Sequence, residues 1–198
     1  MIEFVLDFVS INSYLALNPV KQLADELGVE LILTPLRTTS ELQALSAPSG
    51  GDDIGERHRW IRAEYARSDA LRYAAVQGLN VAIDGREQDS TTALRGLIAA
   101  NTAGSGFDYA STVFRNFWAG ELQIDSSYAI ANLLEEHGIE AFDALDPRWD
   151  LEPTREEMDA REIHSVPTFW VDGERYLGRQ HLPMIRWQLE GYEGPGPL

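Results

Sequence analysis

The stretch D-F-V-S-I-N-S-Y-L-A, Asp7–Ala16, joins two kinds of pattern. Upstream of the junction, Ile2 to Val9 is an apolar-rich run with Phe4, Val5, Phe8 and Val9, which reads as a buried strand. Downstream, Tyr14, Leu15, Leu17, Val20, Leu23, Ala24 and Leu27 make the apolar stripe of a helix that stops at Gly28. Val29 to Leu33 then alternates as a second strand, so the first 35 residues spell strand, helix, strand. Ser10 and Ser13 stand at the strand-to-helix junction. Unpaired backbone N–H groups and the helix dipole favour an anion there. A cysteine in such a place becomes a reactive thiolate. A serine does not ionise, which leaves its hydroxyl two uses: to cap the helix, or to donate a hydrogen bond to a thiolate that a ligand brings.

The remainder of the chain frames this junction. From Glu41 to about Leu145 there is almost no strand signal, and the patterns predict helices over 54–77, 89–103, 106–119, 126–137 and 139–144. Gly/Ser/Pro/Asp-rich links separate them. The last fifty residues switch back. Thr154-Arg-Glu-Glu157 reads as a capping box opening a short helix to about Ile163. S-V-P-T-F-W-V-D-G-E-R-Y-L-G, Ser165–Gly178, is strand, Asp-Gly turn, strand. Pro167, at the start of the first of these strands, is a candidate cis residue. A final helix is predicted from Gln180 to about Glu190, with a frayed tail after it. The order βαβ, helices, αββα describes an α/β fold: a thioredoxin-like domain over 1–38 and 150–198, interrupted by an all-helical insertion over 39–149.

Composition narrows the function. The chain has 198 residues, 44% of them hydrophobic, and a formal net charge of −16, a surface that repels nucleic acid phosphates and anionic lipid. It contains no cysteine, so a disulfide framework, a thiolate zinc site and a protein-borne thiol nucleophile are all excluded. Four scattered histidines show no metal-ligand spacing. Glu3 and Asp7 interrupt what a secretory leader needs, and no apolar run approaches the ~18 residues that span a bilayer. The expected location is the cytoplasm, with neither a membrane nor nucleic acid as partner. Within the predicted helix over 54–77, Arg62, Tyr65, Asp69, Arg72 and Val76 share a face, and Asp69 can pair with Arg72.

Three stretches together resemble one family. D-F-V-S-I-N-S-Y-L-A resembles the opening of 2-hydroxychromene-2-carboxylate isomerases and kappa-class glutathione transferases, which begin with a D-F-x-S-P-x-S-Y-L-A type element. S-V-P-T-F-W-V-D-G resembles their G-V-P-T-F-x-V-x-G element, and R-A-E-Y-A-R-S-D-A-L-R-Y-A, Arg62–Ala74, their K-x-x-Y-x-x-x-D-x-x-R-x-A helix. These are DsbA-like proteins in which serine replaces the first motif cysteine. The resemblance implies a glutathione-dependent, or other low-molecular-weight thiol-dependent, isomerase or transferase acting on an aromatic or conjugated small molecule, and a homodimer. It implies that Ser10 hydrogen-bonds the ligand's thiol. Asn12 and Ser13 would join it at the helix start, and Val166, before Pro167, would present backbone to the ligand. Arg62 stands where the family has a lysine that meets the ligand's glycyl carboxylate. Gln180 and His181 stand where relatives carry an Asp-Arg pair that helps hold the amino-acid end of glutathione. The chain departs from the family at Ile11, in place of proline, at Gln180-His181, and at Ser46–Gly51, where the transferases have an asparagine. The alternative is a redox-inactive DsbA-like module that binds a peptide or small ligand near Pro167.

Overall fold

The structure, a computed structural model, describes residues 1–38, 54–82 and 88–197. Both ends of the chain build one four-stranded sheet in the order β2-β1-β3-β4. Strand β1 (Ile2–Leu6) lies at its centre, parallel to β2 (Leu31–Pro35) and antiparallel to β3 (Thr168–Val171). Strand β4 (Glu174–Leu177) closes the far edge. Every residue of β1 is buried, as an apolar run covered on both faces must be. The one charge in it, Glu3, accepts hydrogen bonds from Thr34 Oγ1 (2.7 Å) and Arg161 Nη1 (2.6 Å), which meets the demand that a buried carboxylate be paired.

Helix α1 (Ile11–Leu27) crosses from β1 to β2 and buries the predicted stripe; Gly28 ends it at φ 62°, the left-handed conformation that favours glycine. Helices α2 (Ile54–Gln77), α3 (Thr91–Thr102), α4 (Gly106–Trp118) and α5 (Ser127–Glu136) stand between β2 and β3. Helix α6 (Glu152–Ala160) leads back to the sheet, and α7 (Leu182–Leu189) follows β4. The core joins sheet and helices through Phe8, which packs on Phe114 (4.9 Å between ring centres) and Tyr109 (6.1 Å). Trp118 Nε1 donates to Phe8 O at 3.1 Å, fastening α4 to the residues before α1.

Three expectations are corrected. No helix forms over 139–144: Ala141 has φ 56°, and Asp143 Oδ1 accepts the N–H of Leu145, so the segment turns. Helix α6 begins two residues before Thr154, with Asp150 Oδ1 accepting the Glu152 N–H and Pro153 in the first turn, so Thr154 is not its cap. The tail is folded back rather than frayed: Trp187 Nε1 donates to Glu193 O at 3.1 Å, and Tyr192 packs edge-on against the Trp187 ring.

Candidate functional site

Two segments meet at the C-terminal end of β1. The first is the start of α1. Ser10 caps it with an extended backbone (φ −91°, ψ 113°), and its Oγ accepts the N–H of Ser13 at 3.2 Å. No acidic residue stands in the first turn, so nothing in that turn offsets the helix's positive end. The second is the loop entering β3, where the Val166–Pro167 peptide is cis. Thr168 Oγ1 fixes this loop by donating to Ser165 O at 2.7 Å. The register Val5↔Thr168 brings it alongside β1. Among the described residues no hydrogen bond reaches the Val166 N–H or carbonyl.

The end of β4 supplies a further wall. Gly178 N donates to Pro167 O at 2.8 Å, tying the segment after the hairpin to the cis peptide. Gly178 holds φ 95°, a conformation that favours glycine. Gln180 turns back, its Nε2 donating to Leu177 O at 2.9 Å. Arg179 points inward instead. Its Nη2 meets Asp69 Oδ2 at 2.6 Å, its Nε meets Asn12 Oδ1 at 3.2 Å, and its guanidinium lies 3.7 Å from the centre of the Tyr73 ring. One residue thus connects α1, α2 and the β4 end.

The result is a cavity of about 420 Å³ with Asn12, Asp69, Tyr73, Val166, Pro167 and Arg179 on its walls. That is the size class of a small-ligand site. Of the residues singled out from sequence, Asn12, Val166, Pro167 and Gln180 line it. Ser10 and Ser13 lie at its α1 side but are buried, at 1% and 0% exposure, and are not on the wall. Arg62 lies exposed on α2, its Nε directed to His58 O at 3.4 Å, and His181 sits with its ring 6.0 Å from that of Tyr176; neither lines the cavity. Ser46–Gly51 lies outside the described residues. The expected Asp69–Arg72 pair is present at 3.1 Å.

Arg179 is the residue that sequence reasoning passed over. Its signal was available: a charged residue directly after Gly178, at the end of the predicted hairpin. Asp7 lies fully buried, three residues before Ser10. Its carboxylate accepts from Thr38 N (2.6 Å), Thr38 Oγ1 (2.9 Å) and Val9 N (3.4 Å), and burial pushes its pKa up against these hydrogen bonds. Among the described residues no group of histidines and carboxylates could hold a metal ion, and no helix is long and apolar enough to cross a membrane.

The family model of the DSBA-like thioredoxin domain matches residues 1–190. A 2-hydroxychromene-2-carboxylate isomerase of Pseudomonas putida is 23% identical over 193 residues, covering 93% of this chain and 92% of that protein. Among solved structures, a 2-hydroxychromene-2-carboxylate isomerase superposes with a TM-score of 0.71 at 19% identity, covering 96% of this chain and 95% of the other. A probable DsbA oxidoreductase from Streptomyces coelicolor gives 0.72 at 19% identity, over 100% and 92%. The cytosolic disulfide reductase DsbM from Pseudomonas aeruginosa, with GSH, gives 0.64 at 19% identity, over 96% and 98%.

Proposed function

Because this chain belongs to the DSBA-like thioredoxin domain family and has no cysteine in its sequence, we propose that it is a thiol-dependent isomerase or transferase, acting on a conjugated or aromatic small molecule with a thiol that a small ligand brings. The likeness to 2-hydroxychromene-2-carboxylate isomerase over nearly the full length of both proteins supports the isomerase side of this reading. The observation that carries it is one juxtaposition: the first turn of α1 and the Val166–Pro167 cis peptide share a cavity of about 420 Å³.

Bound there, a thiol supplies a nucleophilic sulfur. The chain's own groups act on that end of the ligand. Ser10 Oγ accepts the Ser13 N–H and keeps its own O–H; at 1% exposure and off the cavity wall, it donates to a sulfur only where the ligand's sulfur reaches into the start of α1. The N-terminus of the 17-residue α1 favours negative charge at the same place. The Val166 N–H and carbonyl pair with an extended ligand backbone, and Pro167 and Leu177 keep water from one side. These residues fit a thiol's sulfur end. They do not fit the amino-acid end of glutathione, because both oxygens of Asp69, the one carboxylate on the cavity wall among the described residues, are held by arginines.

A homodimer and a cytoplasmic location belong to the same proposal. Ile61, Tyr65 and Val76 of α2 are apolar and exposed (47%, 68% and 81%), a face that a second copy would cover; sedimentation velocity checks it. The function is tested by thermal melting with millimolar thiols and their sulfur-free counterparts. A melting temperature raised by a thiol and not by its counterpart is the expected result. No rise with any thiol would return the protein to the redox-inactive binding module.

A further inference from the structure

The charges around Arg179 say more about the ligand than its sulfur does. Asp69 lies between two guanidiniums: Arg72 Nη1 on Oδ1 at 3.1 Å and Arg179 Nη2 on Oδ2 at 2.6 Å. Among the described residues Asp69 is the one carboxylate on the cavity wall, and it divides its charge between Arg179 and the exposed Arg72, so Arg179 is only partly compensated, in a molecule whose net charge is −16. Arg179 is 16% exposed, lies 3.7 Å from the centre of the Tyr73 ring and is bonded to Asn12 and Asp69, so its guanidinium is pre-oriented. Its Nη1 meets no acceptor among the described residues. Gln180 has its amide turned onto Leu177 O. An ammonium entering this space would find the Arg179 cation and, among the described residues, no available carboxylate. A carboxylate would find a rigid N–H donor and a net positive field.

We propose that the cavity takes an anionic thiol without a free amine: its sulfur at the α1 start, its carboxylate on Arg179. This rests on the thiol reading above and narrows it. Glutathione meets these demands only in part: its glycyl carboxylate suits Arg179, but its γ-glutamyl end, with the α-ammonium, does not.

The test is calorimetric titration of the full chain with three matched probes at low salt: N-acetyl-L-cysteine, L-cysteine and N-acetyl-L-alanine. The expected Kd for N-acetyl-L-cysteine is at least about tenfold below that for L-cysteine, the equivalent of one charge-assisted hydrogen bond. Arg179→Gln should erase that preference, and Arg179→Lys should restore part of it. Circular dichroism shows whether each variant is folded, and the wild-type comparison stands without any variant. L-cysteine binding as tightly as N-acetyl-L-cysteine would overturn the inference while leaving the thiol reading intact. If N-acetyl-L-alanine binds as well as N-acetyl-L-cysteine, and Arg179→Gln abolishes both, the anion site stands and the thiol reading falls. No binding by any probe at millimolar concentration would remove both.

Discussion

Helices α1 and α2 face each other across the cavity and are held by opposite means. Helix α1 buries Ile11, Tyr14, Leu15, Leu17, Val20 and Leu23, and packing against sheet and helices leaves its first turn no freedom. Helix α2 is longer, 24 residues, yet among its described side chains only Ala70 and Ala74 are buried. Polar ties hold the rest: Gln77 Nε2 donates to Leu15 O at 2.9 Å, and Asp69 binds Arg179. One wall of the site is thus set by apolar burial. The other, with Asp69 and Tyr73, is set by an ion pair and a guanidinium over the Tyr73 ring. The difference teaches that Arg179 does structural work as well as facing the cavity, so changes on the two walls should differ in kind.

The largest effect is expected behind the α1 wall. Phe114 stacks on Tyr14 at 5.4 Å and meets Phe8 at 4.9 Å, so Phe114→Ala should cost about 3–5 kcal/mol in denaturant unfolding. A cost below 1 kcal/mol would break the comparison, because α1 would then not rest on this packing. On the other wall, Asp69→Ala leaves the Arg179 guanidinium partly buried without its carboxylate. About 1–2 kcal/mol is expected, below the loss for a fully buried pair because a quarter of the Asp69 side chain is exposed (26%). Loss of the Ser10 cap by Ser10→Ala should cost about 1 kcal/mol in the same experiment.

At the foot of α1, Asp7 gives a pH signature. Burial is the main cause that raises its pKa above the ordinary 3.8, and hydrogen bonds from Ser90, Thr38 and Val9 oppose it. The folded chain therefore holds this proton to higher pH than the unfolded chain. The stability so contributed is complete below 3.8 and lost as pH rises through the folded value. Asp7→Asn does not titrate, so wild-type stability minus variant stability should shrink from about pH 4 toward neutrality. Melting curves across that range check it; a constant difference would mean that Asp7 titrates alike folded and unfolded. Smallest of all, Val76→Ala on the exposed face of α2 should change stability by less than about 0.5 kcal/mol in the monomer.

The apolar periodicities of β1 and α1 were legible because a strand buried on both faces and a striped helix leave unmistakable patterns. Helix α2 was legible for another reason. Its composition carries no strand signal and its Arg62-to-Val76 spacing is helical, so its span could be read although its face is polar. Asp172-Gly173 announced the hairpin, and both residues adopt positive φ, 50° and 86°. Pattern failed where single side chains override it, as at Asp143 and Asp150. The site was half legible. Asn12, Val166 and Pro167 belong to elements whose local sequence fixes them. Arg179 could not be assigned, because its partners, Asn12 and Asp69, lie 167 and 110 residues away in sequence. Only the fold brings them together.

The central claim is that the α1 start stabilises a thiolate carried by a ligand, with Ser10 as the hydrogen-bond donor. It is tested most directly by titrating the ultraviolet absorbance of a bound thiol against pH in the wild type and in Ser10→Ala. A hydrogen bond to a charged sulfur is worth roughly 1.5–3 kcal/mol, which corresponds to about one to two pKa units. The account predicts a bound thiol pKa below that of the same thiol free in solution, rising by about that amount in Ser10→Ala while the fold is retained. A bound thiol with its solution pKa, unchanged by Ser10→Ala, would contradict it and leave Ser10 as the cap of α1 alone.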